Sequence, residues 1–156
     1  MNVARRIAVL TTVLALVGGA STFAQAASAI IIGKWRTPTQ AEMTISSCVE
    51  GHCGYISKVV VTDELRAKYG DDVANMSVYT DAKNKDPNLR NRPIEGLQIL
   101  TLRMGPDDRH FEGEVYNPED GNTYTGYLEV IDANTLKLKG CALMFLCQEQ
   151  VWKRIR

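Results

Sequence analysis

The chain has 156 residues and balances 18 Lys and Arg against 18 Asp and Glu. That length fits one domain able to bury a core of its own, and an even charge balance without a basic cluster excludes electrostatic capture of nucleic acid or anionic lipid. No internal repeat, low-complexity tract or interdomain linker divides the sequence, so one unit is expected over residues 30–156.

Residues 1–26 read differently from the rest. Arg5 and Arg6 precede an apolar run from Ile7 to Gly19, broken only by Thr11 and Thr12, and Ala24-Gln25-Ala26 and Ala27-Ser28-Ala29 offer cleavage sites. Basic, apolar and small segments in that order form a secretory signal peptide, cut after residue 26 or as late as residue 29. The apolar run is shorter than the roughly 20 residues of a spanning helix, which disfavours a retained anchor. The surroundings of the two arginines fit twin-arginine export poorly, and no cysteine stands at the cleavage site to carry a lipid. Removing Arg5 and Arg6 takes the charge balance from 18 against 18 to 16 against 18. The expected location is periplasmic or secreted, without stable membrane insertion after signal removal.

Period-2 alternation bounded by Gly, Pro, Asn and Asp then recurs, the signature of strands. The first segment runs from Ile31 to Thr37 and is closed by Pro38. The second, Glu42 to Cys48, sets Met43 and Ile45 against Thr44 and Ser46. Gly54 to Val61, rich in β-branched residues, is the third. From Thr62 to Asn91 the pattern breaks into a short helix-like piece, Asp63 to Tyr69, and a polar loop containing Gly70-Asp71-Asp72 and Asp81 to Asn91. A stretch of this length is a functional lid, an ordered Ω-loop or a disordered insert.

Strands resume with Gly96 to Arg103, apolar on both faces, followed by the turn Gly105-Pro106-Asp107-Asp108. Arg109 to Tyr116 sets Phe111, Gly113 and Val115 against Glu112 and Glu114. After Asn117-Pro118-Glu119-Asp120-Gly121, the segment Asn122 to Ile131 points Tyr124, Gly126, Leu128 and Val130 one way. Asp132-Ala133-Asn134 turns the chain into Thr135 to Gly140, with Leu136 and Leu138 against Lys137 and Lys139, and Gln148 to Ile155 closes the series. Short strands on short turns predict an all-β fold, an antiparallel up-and-down β-barrel of about eight strands, because closure removes exposed sheet edges. A barrel of that size is either filled by side chains or holds one small ligand.

Four cysteines in an exported chain point to disulfides, with three possible connectivities. The local pairs Cys48-Cys53 and Cys141-Cys147 are preferred, since each brackets a short turn. Loops this small gain less than the roughly 3 kcal/mol estimated for longer ones. The rival is a metal site of Cys48, His52 and Cys53, but its spacing is not that of the common zinc motifs, and thiols are scarce in an oxidising compartment. Neither a metal nor a cofactor is expected.

Six stretches carry a family resemblance: Gly33-Lys34-Trp35; Cys53-Gly54-Tyr55-Ile56; Asp81 to Pro87 running into Leu89 to Gly96; Gly113 to Tyr124; Leu136 to Gly140; and Gln150 to Arg154. In this order they span nearly all of residues 30–156, and together the chain resembles the exported bacterial family catalogued as domain of unknown function 2147. The resemblance implies a lipocalin-like β-barrel in the periplasm, with no established activity. It also implies that Arg154 packs over Trp35 to close the barrel bottom, a structural contact worth about 0.5 to 2 kcal/mol. The stretch between Val61 and Thr80 is longer than the family pattern.

Candidate ligand-binding residues follow from chemistry. Asp81, Asn84, Arg90 and Arg92 would fix a small anion or polar group if they pointed inward, arginine being a forked and permanently charged donor. The competing reading is that Asp and Asn cap turns while Arg ties loop carbonyls to the body. Tyr116 and Tyr124, with Tyr127 nearby, suit a pocket wall or cross-strand packing. Oxygen ligands at Asp81, Asn84 and Asp86 do not have the spacing of an EF-hand Ca²⁺ loop. No catalytic residue is assigned: His52 and His110 lack a partner at a recognisable spacing, and Glu112 and Glu114 fit the solvated side of one strand. The expected function is binding of a small, partly apolar or anionic molecule; the alternative is a structural or protein-interaction barrel of the envelope. An enzyme is not expected, and the sequence leaves the oligomeric state open.

Overall fold

The structure, a computed structural model, describes residues 29–63, 66–67, 70, 79–143 and 145–156. The leader expected over 1–26 lies outside the described residues, as does most of the helix-like piece and polar stretch between 64 and 78. Of that piece, the Arg66 amide donates to the Thr62 carbonyl at 3.0 Å and the Gly70 amide to the Arg66 carbonyl at 2.7 Å, the four-residue spacing of a helix.

Eight strands follow one another: β1 Gly33–Arg36, β2 Glu42–Cys48, β3 Gly51–Lys58, β4 Gln98–Met104, β5 His110–Asn117, β6 Asn122–Asp132, β7 Thr135–Ala142 and β8 Leu146–Ile155. Each pairs antiparallel with the next, and β1 pairs with β8 to close the barrel. The alternation read from the sequence becomes the two faces of this wall. Phe111 lies opposite Leu128, Leu128 opposite Leu138, and Leu136 opposite Trp152, so their side chains share the inner face. Each is at most 5% exposed, and Trp35, Met43, Ile45, Leu100 and Leu102 complete the buried interior.

Two strands begin earlier than the sequence suggests. β3 starts at Gly51 rather than Gly54, because the β2–β3 turn is only Val49-Glu50. Gly51 permits this: its φ is +130°, and a Cβ there would sit 2.5 Å from the Leu102 carbonyl oxygen. The cysteines therefore stand inside the ladder, Cys48 opposite Gly51 and Cys53 opposite Ser46. β8 likewise starts at Leu146, with Cys147 directly opposite Cys141. Both local disulfides are formed, Cys48–Cys53 and Cys141–Cys147. Such bonds persist in oxidising compartments, as in exported bacterial proteins.

Up-and-down topology gives the barrel two distinct ends. The entry into β1 and the β2–β3, β4–β5 and β6–β7 turns share the bottom. The β1–β2, β5–β6 and β7–β8 turns share the mouth with the long β3–β4 connection. In its described residues that connection forms a 3₁₀ turn, Pro87–Leu89, opened by Asp86, whose side chain accepts from the Asn88 amide. Its two ends are clasped: the Ile56 amide donates to the Leu97 carbonyl at 2.9 Å, and the Gly96 amide to the Ile56 carbonyl at 2.7 Å. Val59 and Ile94 from this connection pack against the core.

Closure between β1 and β8 is short. Only Lys34, Trp35 and Arg36 pair with it, opposite Ile155, Arg154 and Lys153. β1 ends at Arg36, two residues before Pro38, which has no amide hydrogen to extend a ladder.

Candidate functional site at the barrel mouth

The bottom of the barrel is sealed. Trp35 is fully buried, and its indole Nε1 donates to the Ile31 carbonyl at 2.9 Å. The Arg154 guanidinium lies 4.1 Å from the centroid of the Trp35 ring. Its Nε donates to the Ala133 carbonyl at 2.7 Å, Nη1 to the Ile32 carbonyl at 3.1 Å, and Nη2 to the Ile30 carbonyl. One side chain thereby ties the β6–β7 turn to the entry of the chain into β1.

His52 also stands on the inner wall near this end. The sequence places it in a turn; the earlier start of β3 turns it inward, opposite Leu102. It is 8% exposed and meets the Phe111 ring edge-on, 5.3 Å between centroids. Among the described residues its Nδ1 has no hydrogen-bond partner. Burial holds its pKa below 6.5, with the Leu102 backbone acting in the opposite sense. His52 and the disulfide of Cys48 and Cys53 stand on opposite faces of β3, and the sulfurs are bonded to each other. The three are not arranged as a metal site.

Towards the mouth the inner wall opens. On β8 the inward positions run from Trp152, 1% exposed, to Gln150 and Gln148, both exposed. Across the wall, Gln148 pairs with Gly140, Gly140 with Gly126, and Gly126 with Gly113. The glycines are not equivalent. A Cβ on Gly113 would lie 1.9 Å from the Thr101 carbonyl oxygen, whereas among the described residues one on Gly140 would meet only the Tyr124 Cβ, at 4.0 Å. Among the described residues, space therefore exists beside Gly140, next to Tyr124 and with Gln148 on the neighbouring strand. The Gln150 amide is oriented by Trp152, whose Nε1 donates to its Oε1 at 3.2 Å.

The polar residues singled out in the β3–β4 connection do meet, and they bond one another. Asp81 is fully buried. Its Oδ1 accepts from the Tyr116 hydroxyl at 2.6 Å, and its Oδ2 from Asn84 Nδ2 at 2.7 Å, Arg92 Nε at 2.9 Å and Arg92 Nη2 at 2.8 Å. Arg90 completes the cluster from outside, its Nε donating to the Asn84 carbonyl at 2.8 Å. Burial by itself would raise the Asp81 pKa, but the hydrogen bonds from Tyr116, Asn84 and Arg92, with the Arg92 charge, hold it below 3.8. Burial first, and then the bond to Asp81, raise the Tyr116 pKa above 10.0. Tyr116 alternates with inward Val115 and so stands on the outer side of β5. The cluster is a tether that fastens the long connection to the outside of the mouth. Tyr124 stands apart from it, on the inner row, with its hydroxyl donating to Asp120 Oδ2 at 2.5 Å.

An open groove of about 410 Å³ runs along the outer face of β5 to β8. Its charges are matched across the strands, Lys137 to Glu129 at 2.5 Å and Lys139 to Glu149 at 4.0 Å. Gly140, Gln148 and Gln150 stand out by no binding motif in the sequence. The available signal was the period-2 continuation from Trp152, which places both glutamines on its face. Among the described residues no helix is long and apolar enough to cross a membrane.

Residues 33–154 match a family described as an uncharacterized protein conserved in bacteria, DUF2147. Protein HP1028 from the human pathogen Helicobacter pylori, whose solved structure is described as belonging to the lipocalin family, is similar in fold, with a TM-score of 0.65. Identity is 18%, over 81% of this chain and 83% of that one. No curated protein matches the sequence.

Proposed function

The chain belongs to the bacterial family DUF2147, and on that premise we propose that it is a periplasmic binding barrel, exported by residues 1–26, that takes one small, partly apolar molecule into its mouth. The observation carrying this reading is the change along the inner face of β8, from buried Trp152 to exposed Gln150 and Gln148. A filled barrel would keep such positions apolar and covered. Here a packed floor supports a cup with amide and phenol groups on its wall, the mixture that orients a ligand with an apolar body and a hydrogen-bonding end. Similarity to a lipocalin supports the reading at the level of fold alone. The Asp81 cluster serves it indirectly by fixing one side of the rim, and the proposed activity is binding without turnover.

Native mass spectrometry of protein purified from a bacterial periplasm tests this. The expected result is an added mass that is released on denaturation and is absent from Gly140→Phe, whose ring occupies the cup. An empty parent protein that also fails to bind the apolar fluorophore N-phenyl-1-naphthylamine would sink the reading.

A further inference from the structure

Among the described residues, Leu146 to Trp152 of β8 pair with β7 alone, because β1 engages β8 only from Lys153 onward. Seven residues of this strand thus present an unpaired backbone edge. Exposure agrees: Gln148, Glu149, Gln150 and Val151 are consecutively exposed, where an ordinary strand of this wall alternates. Native edges are guarded by Lys, Pro, a bulge or a covering segment. This one carries a single charge, Glu149, already neighbouring Lys139. Leu146, its first residue, is 58% exposed, and exposed apolar residues continue past it, with Phe145 at 77% and Leu143 at 70%.

The edge is also chemically symmetric. Glu149 is its midpoint; outward in either direction come a glutamine, Gln148 or Gln150, then Cys147 or Val151, then Leu146 or Trp152. We propose that this edge pairs with the same edge of a second copy, antiparallel about a two-fold axis at Glu149, making one sheet continuous through two barrels. In that register Gln148 faces Gln150, Cys147 faces Val151 and Leu146 faces Trp152, each twice, which is the self-complementarity of an isologous interface. The lengths match as well. Each strand ends, at Leu146, opposite the last residue before its partner's β1 pairing begins. Two Glu149 carboxylates meet at the axis, each flanked by its own Lys139, so the central row runs Lys, Glu, Glu, Lys without net charge.

Sedimentation velocity across micromolar concentrations, with both disulfides intact, reads the association. The parent is expected to dimerise. Glu149→Gln, which removes the like-charge contact, should tighten the dimer about two- to fivefold, and Glu149→Lys, which aligns four lysines, should weaken it at least about tenfold. Glu149 is a half-exposed surface side chain, so melting temperatures should change little and separate failure to associate from failure to fold. Register is read by oxidation, since the described cysteines are all in disulfides. Glu149→Cys faces itself at a Cα separation of about 4.5–5.5 Å, within disulfide reach, and should crosslink two copies. Leu146→Cys, about 20 Å from its symmetry mate and facing Trp152 rather than a cysteine, should not. A monomer at every concentration would overturn the proposal and leave the edge to a strand of another chain. Equal crosslinking at both positions would overturn the register.

Discussion

The guanidinium of Arg154, one residue from the end of β8, stacks on the ring of Trp35 in β1 and bonds three carbonyls around it. The contact joins the two strands whose pairing closes the barrel, and it covers the floor of the cup.

Losing it should therefore cost more than an ordinary surface arginine. Arg154→Ala is expected to lower the unfolding free energy by about 2–4 kcal/mol, from the lost stacking and the stranded carbonyls. Arg154→Lys, which keeps the charge but not the planar fork, should lose about 1–2 kcal/mol. Urea denaturation midpoints check this; a change under about 0.5 kcal/mol in the alanine variant would contradict the closing role.

Asp81 links the long connection to β5, and replacing it by Asn should cost about 2–3 kcal/mol. Its carboxyl titrates below 3.8 in the folded state. Its contribution is then fully present above that value and is lost as pH falls through the lower native one. Thermal melts between pH 5 and pH 2 should show a steeper fall for the parent than for Asp81→Asn. Parallel curves would mean that the network does not hold the carboxylate ionised.

Acid should act earlier through His52. Its folded pKa lies below 6.5, so the unfolded chain binds the proton more readily, and stability declines as pH drops below about 6.5. Melting temperatures between pH 7.5 and pH 5 should fall in the parent and stay nearly flat in His52→Leu, which packs against Phe111 without titrating. A slope of the same size in both would remove His52 as its source.

Gly113 and Gly140 occupy one inward row yet should respond oppositely. Gly113→Ala forces a Cβ against the Thr101 carbonyl and is expected to cost about 1–3 kcal/mol. Gly140→Ala meets open space and should stay within about 0.5 kcal/mol of the parent. Denaturant curves of the two variants decide; equal costs would show that the cup beside Gly140 is packed.

Much of this architecture was legible in the alternation itself. Phe111, Leu128, Leu136 and Leu138 fall on the inner face that period-2 reading gives them, and Pro38 marks where β1 stops. The sequence reads the whole of Cys48 to Cys53 as a turn bracketed by its cysteines, whereas Gly51 lets the chain reverse within Val49-Glu50. His52 thereby joins the strand, and a shift in strand start changes which side chains face inward. The Asp81 cluster was visible as residue types but not as an arrangement: no periodicity reports that Tyr116, from β5, joins Asp81, Asn84, Arg90 and Arg92 of the connection. The unpaired stretch of β8 was equally hidden, because it depends on the difference in length between β1 and β8.

The clasp between Ile56, Gly96 and Leu97 makes the excursion from β3 to β4 leave and re-enter the wall at nearly one point. Lengthening a loop whose ends are already pinned adds only logarithmically to its entropic cost. The rim of this vessel can accordingly be rebuilt or lengthened while the staves beneath keep their register, so that redesign of this segment leaves the container intact.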